Sequence, residues 1–510
     1  MRQSLRVLTI AAVCLFAVTA GVPAIAQDVG VDPDKTLAKE LKNLADTCYK
    51  CGESAREKGI FTYARSFYDY ALRYDIDHKE TRKVLGFKKK GKEWVASAEG
   101  GVPTANTCKA GAEREMLARV WEETKPVREK SAEALFKFVD DKKLDRNQRL
   151  IALHHVLLIC DSYERARAVL NHVKVGDAWV SKQDEEAANA RAGWASAAKV
   201  AKVEEKTPYE EKLGLSFAKY RGERALVHVY AGKLSESMSE HCAQAADASF
   251  VRGHELLGLD LPPEWTSDAT RYHFTVFNVR EDFAKFVEQC SGIEDAAIRR
   301  EAAASFGCPV KNPNGTVWLN VNNDDDVSQR DAVAHEIGTR VMSAACGWSL
   351  YWLTRGFGYY MSAQMMGSTK TTVFSLKSSA ALVDSGGVNS LLGLGITPEG
   401  WRLRIARTAA AGKLATLTQM TTAQAKGADE QRIAQAFCMT EFLVTQCREK
   451  LTSFVKSAAK DSAQRRKENK AAATGAELQN MLLIELGQDE DEFNKAFCDW
   501  VLASYLSLPA

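Results

Sequence analysis

Apolar positions along the chain follow two kinds of spacing. From Thr36 to about Leu85 they recur at the period of paired amphipathic helices, with Gly52, Ala64 and Ala71 small, Tyr68 large, and a polar turn at Asp75-Ile76-Asp77. Arg82-Lys-Val84-Leu85 then leads through Lys89 and Gly91 to Trp94-Val95. The same series returns 85 residues later as Arg167-Ala-Val169-Leu170, Lys174, Gly176 and Trp179-Val180. This predicts a helical repeat-like region over 30–200 with two related units, about 36–100 and 115–185, each closed by a glycine turn and a Trp that caps the open end of a helical hairpin. The polar stretch 201–212 reads as a linker.

Beyond it the period changes. Ala225–Tyr230 and Tyr272–Phe277 are expected as strands, the second alternating. Ser235–Leu257 and Arg280–Cys290 read as helices, and Gly315–Asn320 as a third strand closed by the turn-rich Asn322–Asp326. Ser328-Gln-Arg-Asp331 has the form of a capping box opening a helix that carries His335-Glu336. A further helix holds Trp352-Leu-Thr-Arg355-Gly-Phe-Gly-Tyr-Tyr360, and the last 150 residues are mostly helical.

The first helical pair resembles a tetratricopeptide repeat, with Ile76 where the closing proline usually stands. The later order (strand, helix with His-Glu, then W-L-x-x-G-x-x-Y) resembles the gluzincin metallopeptidases of the peptidase MA-like kind. There an edge strand precedes H-E-x-x-H, and a second helix carries W-L-x-E-G-x-A-x-Y. The likeness extends from Leu215 to Leu506. It implies an α+β, mostly α chain: helical-hairpin repeats, then a two-lobed domain over 213–508 with a small mixed sheet and a helical lobe.

Such a site needs three protein ligands and a base. Two His at i and i+4 share one helix face, a Glu from the next helix completes the tripod, and the Glu after the first His takes a proton from zinc-bound water. On this resemblance His335 matches the first ligand and Glu336 the general base. Thr339 replaces the second His, and Arg355 replaces the ligand Glu. A guanidinium offers only donors and a permanent positive charge, which repels a dication. No metal or other cofactor is expected, and the functional expectation is a non-catalytic pseudopeptidase. It would bind a peptide or protein partner through the helical repeats and the relic cleft, with Thr316, Val317, Trp318, Leu319 and Asn320 as the peptide-binding edge strand. Two alternatives stand beside it: an active Zn2+ peptidase with unorthodox ligands, and a structural, envelope-associated helical protein.

In the absence of zinc, Glu336 needs another counter-charge, and Arg355 on the neighbouring helix is the expected one. Cys48-Tyr-Lys-Cys51 is a candidate redox or metal pair by spacing. It falls at packing positions of the first unit, with no second C-x-x-C in the chain, so structural thiols are the expected reading.

Residues 1–26 read as a secretory signal, with Arg2 and Arg6 ahead of a short apolar stretch and Ala24-Ile25-Ala26 before the cleavage point. The chain is therefore expected to be exported, with no transmembrane segment. Losing Arg2 and Arg6 would leave the 66 acidic residues matched by as many basic ones. A field able to attract nucleic acid is then absent. Of the 12 cysteines only Cys14 lies in that leader, leaving an odd number scattered through the rest.

Overall fold

A computed structural model describes residues 35–505, apart from 92, 98–100, 104–105, 110–111, 142–143, 145, 177, 231–235, 262–270, 306, 312–313, 320–325, 348–349, 368–397 and 423–429. The expected signal over 1–26 lies outside the described residues. The chain is mostly helical with small sheets.

Two copies of one unit come first. α1 (Lys35–Glu57), α2 (Phe61–Tyr74), the short α3 (Lys79–Val84) and the hairpin β1 (Phe87–Lys90)–β2 (Glu93–Ala96) form the first. α4 (Glu113–Asp141), α5 (Arg146–Ile159), α6 (Glu164–Val169) and the hairpin β3 (His172–Val175)–β4 (Ala178–Ser181) form the second. The offset seen in the sequence is a structural one. Lys89 pairs with Trp94 as Lys174 pairs with Trp179. Arg82 Nε donates to the carbonyl of Ile76 at 3.0 Å, and Arg167 Nε to that of Asp161 at 2.8 Å. The small residues of α1 and α2 have a packing reason. A Cβ on Gly52 would stand 2.4 Å from the Tyr68 ring, so only glycine lets the two helices close. Cys48 and Cys51 are buried in this core as free thiols, and burial, the leading influence, pushes Cys51 up to about 11. Thiolate, the redox nucleophile, is scarce there at neutral pH, which accords with a packing role.

A short 3-10 turn, Lys182–Asp184, leads into α7 (Glu185–Ala197). The stretch 201–212 differs from the linker expected there. β5 (Ala201–Lys202) joins the main sheet, and Thr207 caps α8 (Pro208–Leu213) in a reciprocal box with Glu210. Its polar composition misleads because Glu210 is buried, clasped by Lys219 Nζ at 2.8 and 2.9 Å.

The main sheet has six strands in the order β5-β6-β7-β8-β10-β9, with β6 (Phe217–Arg221), β7 (Ala225–Tyr230), β8 (Tyr272–Phe277), β9 (Gly307–Lys311) and β10 (Asn314–Leu319). β7, β8 and β10 run parallel, and the other pairs are antiparallel. Every residue of β8 is buried, because both faces of the sheet are covered. On one face Val227, Val229, Phe274 and Val276 join the largest core, against α9 (Glu236–Leu257), α12 (Asp326–Cys346) and α13 (Tyr351–Met366). On the other, Phe217 and Phe277 meet Tyr209 of α8 and Phe283 and Phe286 of α10 (Arg280–Cys290), next to α11 (Ala296–Ala303). α14 (Pro398–Ala410), α15 (Leu417–Thr422), α16 (Glu430–Gln446), α17 (Arg448–Lys467), α18 (Gly475–Leu486) and α19 (Glu490–Tyr505) complete the largest core.

Two expectations change at β10 and α12. Thr316, Val317, Trp318 and Leu319 form a strand, but β8 and β9 pair on either side of it, so it is interior rather than an edge. The added strand β9 was not read from the sequence, since Pro309 breaks its pattern; Asn320 lies outside the described residues. α12 begins at Asp326, so Ser328 stands inside its first turn. Asp331 is then not a cap partner: it is buried and accepts the Ser362 hydroxyl from α13.

Candidate functional site

α12 and α13 pack along their lengths in antiparallel sense, Asp331 meeting Ser362 and Glu336 meeting Arg355. Glycine makes the approach possible. A Cβ on Gly338 would lie 2.7 Å from that of Met361, and one on Gly358 would lie 2.5 Å from Thr339 Oγ1 and 2.8 Å from the His335 carbonyl. The crossing brings His335, Glu336, Thr339 and Arg355 into one small volume. Those four positions were singled out from two segments of sequence, and the structure unites them.

Their contacts differ from those of a ligand set. Glu336 Oε1 accepts from His335 Nδ1 at 3.2 Å and from Arg355 Nη1 at 3.4 Å. Burial pushes the Glu336 carboxyl up, but the His335 hydrogen bond and the Arg355 charge outweigh it and hold it at about 2. An ionised Glu336 can only accept, so the proton of this contact sits on His335 Nδ1. The other nitrogen of the ring is Nε2. That nitrogen is buried without a hydrogen-bond partner, and so is Thr339 Oγ1. The His335 ring lies against Tyr359, centroids 4.5 Å apart, and Tyr359 in turn meets Trp401 edge-on.

Two more residues belong to this neighbourhood. Tyr351, one helical turn before Arg355, lies under the guanidinium at 5.9 Å, and its buried hydroxyl has no hydrogen-bond partner. The i, i+4 spacing was its available signal. Tyr272, at the start of β8, hydrogen-bonds Thr316, and burial, followed by the Glu336 charge, raises its phenol. Thr316 thus approaches the site through Tyr272 rather than through an open strand edge. Of the other aromatic residues on α13, Trp352, Phe357, Tyr359 and Tyr360 are core residues.

Zinc, which the resemblance implies, fits this arrangement poorly. The third-ligand position holds a cation already paired with the base, and the second offers only a hydroxyl. Among the described residues no group of three or more His, Cys, Asp and Glu is placed to hold a metal ion. Comparison with models of known families and with the sequences of curated proteins returned no match.

A second charged cluster had no local signal, its members being far apart in sequence. Arg402 of α14 is buried between two carboxylates. It donates to Asp184 from Nη1 at 2.6 Å and from Nη2 at 2.9 Å, and to Glu441 of α16 from Nε at 2.9 Å and from Nη2. Tyr505 donates to Glu441 at 2.5 Å. Arg191 of α7 donates to the last carbonyls of α13, Ala363 at 3.0 Å and Gln364 at 3.1 Å. These contacts clamp the end of the repeat region to the helices that carry the candidate site.

Proposed function

We propose that the chain is an exported pseudopeptidase: a degenerate gluzincin-type, two-lobed domain behind tetratricopeptide-like repeats, binding a peptide or protein without cleaving it. One observation carries the reading. The Arg355 guanidinium stands beside Glu336, where the motif it resembles would place a third metal ligand, and neutralises the would-be general base. With its carboxylate occupied by Arg355 and His335, Glu336 has no metal-bound water to deprotonate. The repeat region supports a binding role through its extended helical surface, and the contacts of Arg402 and Arg191 hold that surface at a set position against the relic site.

The peptide-binding edge moves in this reading from β10 to β9, whose outer side no described strand covers. Pro309 sits mid-strand there without an N–H, so an added strand would find a broken ladder. Capture of a whole extended backbone along this edge is thereby weakened. The interhelical site is left as the principal contact for a peptide.

Metal analysis of the purified protein, dialysed against excess zinc and then against buffer, tests the reading. The expected result is far less than one zinc per chain and no peptide hydrolysis. Near-stoichiometric zinc that disappears in His335→Ala, or proteolysis that disappears in Glu336→Gln, would establish the peptidase instead.

A further inference from the structure

Two of the arginines that face carboxylates, Arg402 and Arg355, are unequally satisfied. Arg402 is buried and saturated, with Asp184 on one side and Glu441 on the other. Arg355 has one carboxylate, Glu336, reached by Nη1 alone at 3.4 Å. Glu336 is its one carboxylate partner among the described residues, Tyr351 lies beside it, and its side chain is 31% exposed against 6% for Arg402. Planar guanidinium donors match a carboxylate two at a time, and a half-used fork open to solvent is a ready seat for another anion.

The surroundings narrow the ligand. Tyr351, packed under the guanidinium, holds a buried hydroxyl without a hydrogen-bond partner. His335, 99% buried by its 1% exposure, keeps Nε2 unpartnered, and so does Thr339 its hydroxyl; both border Gly358, on the same helix as Arg355. One part-exposed cation therefore stands beside the Tyr351 phenol, while the His335 and Thr339 atoms are enclosed between α12 and α13. Glu336 beside it is already ionised, so a second full negative charge is tolerable only on the far side of the guanidinium. Arg402 shows that this chain stabilises an arginine between two carboxylates.

We propose that Arg355 anchors the terminal carboxylate of a peptide, with the adjacent Tyr351 donating to the same group. The proposal rests on the metal-free, peptide-binding reading of this site and specifies its ligand: a chain end, not an internal segment.

Two pools of N-acetylated random hexapeptides, one ending in a free carboxylate and the other in an amide, are equilibrated with the full-length protein, and retention is read by mass spectrometry. The free acids are expected to be retained about tenfold better, the scale of one charge-assisted contact. Arg355→Gln should abolish that preference. Glu336→Gln should raise retention of the acids, because it removes the competing anion. Tyr351→Phe should lower acid retention about threefold, which keeps the test decisive where Arg355→Gln does not fold. Equal retention of acids and amides overturns the carboxylate anchor and leaves peptide binding standing. Retention of neither pool overturns both.

Discussion

Arg355 and Glu336 join two helices through one pair of opposite charges. An ionised carboxylate between helices is costly unless paired, and Arg355 supplies the pair from the neighbouring helix. Arg355→Ala is expected to lower stability by about 1–3 kcal/mol, less than for a fully buried pair because the guanidinium is part-exposed. Glu336→Gln with Arg355→Leu should recover part of that loss; additive effects of the single substitutions in urea unfolding would exclude the pairing. The Glu336 carboxyl, at about 2 in the folded chain against 4.5 ordinarily, stabilises the fold above about pH 4.5. That contribution is lost as pH falls toward 2, and Glu336→Gln should flatten this part of the acid-unfolding curve.

Among the elements, the α12–α13 crossing depends on what glycine leaves out. Gly358→Ala should destabilise by about 1–3 kcal/mol, since the new methyl would meet both the Thr339 hydroxyl and the His335 backbone. Truncating Thr339 to Ala relieves only the first contact, so it should rescue Gly358→Ala in part, measurable by thermal melting. On the opposite face of the sheet, His228 of β7 and His273 of β8 stack with centroids 5.1 Å apart, Nε2 to Nδ1 at 3.1 Å, and His228 Nδ1 meets the Tyr209 hydroxyl at 2.7 Å. Burial drives the His228 pKa well below the usual imidazole value, and His273 and Lys219 lower it further, with the buried Glu210 already engaged by Lys219. A depressed imidazole favours the folded state while neutral, so its stabilisation is present above about pH 6.5 and lost as pH falls. Tm should drop by several degrees between pH 7 and 5, and His228→Gln should remove much of that slope.

For the whole molecule, the clamp around Arg402 joins segments more than two hundred residues apart. Arg402→Met would leave Asp184 and Glu441 buried without their cation, at a cost of about 3–5 kcal/mol. Adding Asp184→Asn and Glu441→Gln should return much of it, and limited proteolysis near 198–207 should report the loosened junction. Local pattern was enough to place β7, β8, α10 and the repeated helical unit, because each writes its period into a few consecutive residues; the Trp of each unit, expected to cap a helical hairpin, lies instead in the second strand of a β-hairpin. The resemblance to the gluzincin motif marked His335, Glu336, Thr339 and Arg355 as one group, and the α12–α13 packing brings them close. β9 and the ordered 201–212 stretch escaped, because Pro309 and a run of charged residues imitate loop composition while their partners lie elsewhere in the chain. Which carboxylates Arg402 joins, which strand is interior and which polar atoms stay unpartnered were decided only by tertiary packing. Those outcomes depend on distances between remote segments, and no window of sequence contains them.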